Sequence, residues 1–112
     1  MKNSEIIAKL VKQISDKIEF RMRDLGNSYE EAKAIVSEQS VAGPAVWAQV
    51  DAIFAQEEIS QAIEIRGVAV SYCCHRTDLK QYQIDLLSEI LLTPLSQPAR
   101  ILELWQATKL TY

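Results

Sequence analysis

The stretch SQAIEIRGVAVSYCCHR, residues 60–76, decides the fold class, because it alone supports two opposed periodicities. Ile63 and Ile65, then Val68, Val70 and Tyr72, alternate as in two short strands around Gly67. Ala62, Ile65, Ala69 and Cys73 recur instead at steps of three and four, which places them on one helix face. A lone two-stranded hairpin is only marginally stable in water, and no other segment offers a convincing partner strand. The helix is therefore preferred, with a short β-hairpin at 60–76 as the alternative. The chain as a whole reads as all-α, a compact bundle of five to six helices.

Upstream, Ile7, Leu10, Val11, Ile14, Ile18, Met22 and Leu25 form the strongest helical stripe, entered through Asn3 or Ser4 as cap and closed at Gly26. Phe20 lies off this stripe and is either a second packing face or an exposed contact. Ser28 and Glu31 have the spacing of a capping box, so a second helix should run to about Gln39 with a narrow apolar side of Ala32, Ile35 and Val36. Pro44 suits the first turn of a third helix over 44–58, with Val46, Trp47, Val50, Ile53 and Phe54 inward. Downstream, Thr77 or Asp78 should cap a helix with Leu79, Tyr82, Leu86, Leu87, Ile90 and Leu91 on its apolar face. Pro98 starts a last helix carrying Ile101, Leu102, Leu104 and Trp105.

At 112 residues, with 48% hydrophobic and 24% charged side chains, the chain reads as a single helical domain over 1–112. Its apolar runs fall far short of the roughly 20 residues that cross a bilayer. The N-terminal residues lack the apolar core of a signal peptide. A cytoplasmic protein with no membrane association is the expectation, consistent with adjacent cysteines that cannot staple a long loop.

Cys73-Cys74-His75 is the one cluster with soft ligands or a nucleophile. Zinc would need ligands from elsewhere, Asp78 being nearest, and the spacing is not that of paired ligands. A Cys–His dyad is disfavoured because adjacent side chains diverge by about 100° on a helix. The cysteines are instead expected to be small buried hydrophobes. No phosphate-binding glycine loop, nucleophile elbow or paired-histidine motif occurs. The expectation is no enzyme, no catalytic residue, no metal and no cofactor.

Net charge is −3, and its distribution is uneven. Residues 1–25 hold six basic and four acidic side chains, and residues 66–112 five and four. Residues 26–65 hold only Lys33 against Glu30, Glu31, Glu38, Asp51, Glu57, Glu58 and Glu64. A helix-turn-helix reading around Gly43-Pro44 fails on this ground, since a recognition helix without Lys or Arg would meet phosphates unneutralised. The acidic middle segment instead suits a basic protein surface, which it would steer and select. The expected function is a small acidic protein-binding domain, of the inhibitor or immunity type, occluding a basic effector. The candidate contact residues are Tyr29, Glu30, Glu31, Glu38, Trp47, Asp51, Glu57 and Glu58. The alternative is a helical DNA-binding or regulatory protein using Lys9, Lys12 and Lys17. The stripe of the first helix would equally serve a homodimer across a two-fold axis.

Overall fold

The computed structural model describes residues 3–111, and among them there are six α-helices and no strand: α1 (Asn3–Asp24), α2 (Tyr29–Gln39), α3 (Pro44–Phe54), α4 (Ile59–His75), α5 (Gln81–Leu92) and α6 (Pro98–Thr108). The stretch that opened the sequence reading is a single helix, and the hairpin alternative is not borne out. Ile59, Ala62, Ile63, Ile65 and Ala69 are its buried residues, the three-four pattern rather than the alternating one. Val70, which alternation would have turned inward, is 41% exposed. Gly67 is carried inside the helix at the usual entropic cost of a helical glycine.

The chain packs as two units, Met1–Ala55 and Gln56–Tyr112. In the first, α1 lies against both α2 and α3. The middle of its stripe is covered there: Val11, Ile14 and Ile18 are buried, as are Ala32 and Val36 of α2 and Val46 and Val50 of α3, whereas Leu25 at the end of the stripe is 54% exposed. In the second unit α4, α5 and α6 pack on one another pairwise, around Leu87, Ile90, Ile101 and Leu104.

Local chemistry explains most boundaries. Gly26 takes φ +71, the left-handed region that glycine enters without a Cβ clash, and the Asn27 amide donates back to the Arg21 carbonyl at 3.1 Å. The capping box of α2 is formed: the Glu31 amide donates to Ser28 Oγ at 3.2 Å, and the Ser28 amide donates to Glu31 Oε1 at 3.0 Å. Replacing Ser28 by alanine should cost about 1 kcal/mol in urea unfolding, and glycine only a few tenths. An equal loss with both would place the effect outside the cap.

Several expectations need correction. The first helix already includes Asn3 and Ser4, so neither is its cap. The third ends at Phe54, not at 58, because residues 55–58 turn. Thr77 and Asp78 do not cap α5. Asp78 pairs with Arg76 at 2.6 Å, while the first turn is closed by Gln83 Oε1 accepting from the Lys80 amide at 2.9 Å. Finally, Cys73 and Cys74, in the last turn of α4, are both exposed rather than buried. Tyr82 is likewise exposed, which narrows the apolar face of α5.

Candidate functional site

Helix spacing brings four side chains of the first unit together. Tyr29 and Lys33 lie four residues apart on α2, and Trp47 and Asp51 four apart on α3, so each pair shares a face. The Tyr29 hydroxyl donates to Asp51 Oδ1, and Lys33 Nζ donates to both carboxylate oxygens at 2.9 and 3.0 Å. The same ammonium sits 5.5 Å from the Trp47 ring centroid, within cation–π range. The Tyr29 ring stacks on Phe54 at 4.8 Å.

This geometry sets the charge states. The Tyr29 hydroxyl and then Lys33 hold the Asp51 carboxyl below the usual carboxylate range. Burial first, and the Asp51 charge with it, push the Tyr29 phenol well above its ordinary value. Asp51 is therefore an ionised internal acceptor that joins α2 to α3, and its charge is met by Lys33.

The candidate residues thus separate into three groups. Tyr29, Trp47 and Asp51 meet in the α2–α3 cluster. Glu30, Glu31 and Glu38 are exposed on α2, spread over about 100° of its circumference and turned away from buried Ala32 and Val36. Of these, Glu31 is held in the capping box, and the backbone hydrogen bond from Ser28 lowers its pKa. Glu57 and Glu58 lie in the turn before α4, in the second unit.

Lys33 is the cluster member that sequence reasoning passed over. Its signal was present: it is the one cation of residues 26–65, four residues after an aromatic, facing a helix with Trp and Asp at the same spacing. The basic residues of α1 are partly spent as well. Lys12 pairs with Asp16 at 2.8 Å, and Arg23 with Asp24 at 3.1 Å and Glu19 at 3.7 Å.

Among the described residues no three His, Cys, Asp or Glu side chains converge in a way that could hold a metal ion. Desolvation, and then the neighbouring Cys74, raise the Cys73 pKa and disfavour its thiolate. Among the same residues no helix is long and apolar enough to cross a membrane. Comparison with protein-family models, with curated proteins and with solved structures returns no match for this chain.

Proposed function

We propose that the chain is a small protein-binding protein, of the inhibitor or immunity type, that docks the outer side of α2 against a basic surface of its partner. The observation that carries this reading is on α2 itself. Glu30, Glu31 and Glu38 are all exposed, while the one cation of the helix, Lys33, is bonded to Asp51. An exposed acidic patch without interleaved cations attracts a basic surface and speeds its encounter, an effect that salt weakens. The reading needs no catalytic group or cofactor, and it suits a cytoplasmic setting.

Its test is the double variant Glu30→Lys, Glu38→Lys, with Glu31 left in place so that the α2 cap is undisturbed. The immobilised chain should capture a basic protein from an extract of its native host. The variant should retain about tenfold less, and raised salt should weaken capture by the unaltered chain more than by the variant. Equal retention would sink the proposal. Glu57→Lys with Glu58→Lys, measured separately, reports whether the turn before α4 also contributes to capture. A mobility shift of duplex DNA that collapses with salt and with loss of Lys9, Lys12 and Lys17 would instead assign the function to α1.

A further inference from the structure

Asp16, Lys17, Phe20 and Arg21 of α1, with Gln39 at the end of α2, line a shallow groove of about 380 Å³. Phe20 is 50% exposed, on a helix whose Ile14 and Ile18 are buried in the core. Its Cα lies about 200° from that of Ile18, so the packing of α1 does not call for an aromatic there. Lys17 and Arg21 lie beside it, four residues apart, where like charges on a helix repel each other. Among the described residues neither has a carboxylate partner, and Lys17 reaches only as far as Ser40 Oγ, at 3.5 Å. Asp16, the one acid in the lining, is already bonded to Lys12. The groove therefore offers an exposed aromatic side chain beside two cations whose charge is not met by a carboxylate.

We infer that this groove docks an acidic segment of a partner protein, one that presents a single large apolar side chain between carboxylates. The apolar side chain would cover Phe20, and the carboxylates would take Lys17 and Arg21 at the rim. A second copy of this chain is a poorer occupant. Its acidic side of α2 has only Ala34 among Glu30, Glu31 and Glu38, which leaves the groove unfilled. Two cations are also fewer than the four to eight that mark attachment to an anionic lipid surface. This site is independent of the proposed role of α2: it has the opposite charge preference and different residues.

The probe is an end-blocked pentapeptide with one phenylalanine flanked on each side by two glutamates, titrated into isotopically labelled chain and followed by amide NMR. Saturable shifts are expected at Lys17, Phe20, Arg21 and Gln39. The same peptide with lysines in place of glutamates should leave them unmoved. Phe20→Ser, and Lys17→Glu with Arg21→Glu, should each weaken binding about tenfold or more. All three positions lie outside the buried stripe, and an unchanged circular dichroism spectrum checks that the variants fold. Absence of saturable shifts into the millimolar range, shifts centred elsewhere, or variants that bind equally well would overturn the inference. Sedimentation showing self-association that Phe20→Ser abolishes would overturn it too, by making a second copy the occupant.

Discussion

Truncating Ile18 to alanine is expected to lower the free energy of unfolding by about 3 kcal/mol, the middle of the range for a fully buried isoleucine. Ile18 is 0% exposed and lies on the one helix that contacts both α2 and α3. Its lost methyl and methylene groups leave a space that three packed helices cannot fully close, so a cavity penalty adds to the lost transfer energy. Ile6→Ala is the matched control: the same chemistry at a residue 41% exposed should change stability by less than about 0.5 kcal/mol. Urea unfolding separates the two, with a shifted midpoint and an unchanged slope for Ile18→Ala. Amide exchange in α2 and α3 should quicken, because both rest on α1. Equal effects from the two variants would mean that Ile18 does not anchor these helices.

The packing behind that result was legible in the sequence because it follows a local rule. A three-four stripe can be satisfied only on one side of a helix, and the residues that stop it, Gly26, Ser28 and Pro44, act through their own backbones and side chains. The same logic settles residues 60–76, where Ala62, Ile65 and Ala69 share a face and strand alternation had no partner to pair with. What the sequence hid depends on neighbours. Residues 55–58 consist of Ala, Gln and Glu, all good helix formers, so no local signal marks the turn at the end of α3. Cys73 is exposed although it follows buried Ala69 by four residues, a difference that no pattern within α4 encodes. The candidate site divides in the same way. Exposure of Glu30 and Glu38 follows from the phase of α2. The pairing of Asp51 with Lys33 requires knowing that α2 and α3 meet, and without it Asp51 was counted with the outward charges.

Removing the Asp51 carboxylate should therefore destabilise the chain rather than merely lighten its acidic patch. Asp51→Ala is expected to cost about 1 kcal/mol, because it removes the acceptor of both the Tyr29 hydroxyl and the Lys33 ammonium in a half-covered site that water still reaches. The figure stays well below that for a buried ion pair, since the Lys33 and Asp51 side chains keep 37% and 45% of their exposure. Its pH dependence is the sharper check. Asp51 has a lowered pKa in the folded chain, so its contribution is present above the ordinary aspartate value, about pH 4, and disappears as pH falls through the folded value. Tyr29 has a raised pKa, so its contribution is complete below the ordinary phenol value, about pH 10, and is lost as pH rises through the folded one. The stability difference between the unaltered chain and Asp51→Ala should be a plateau between those limits and should shrink on both sides. Tyr29→Phe should cost less than Asp51→Ala, because Lys33 still holds the carboxylate, and should weaken the change on both sides: it removes the phenol itself and the larger of the two hydrogen bonds that lower the Asp51 value. A difference that persists undiminished at pH 2 would show that the aspartate acts through packing, and that Lys33 is not the group answering its charge.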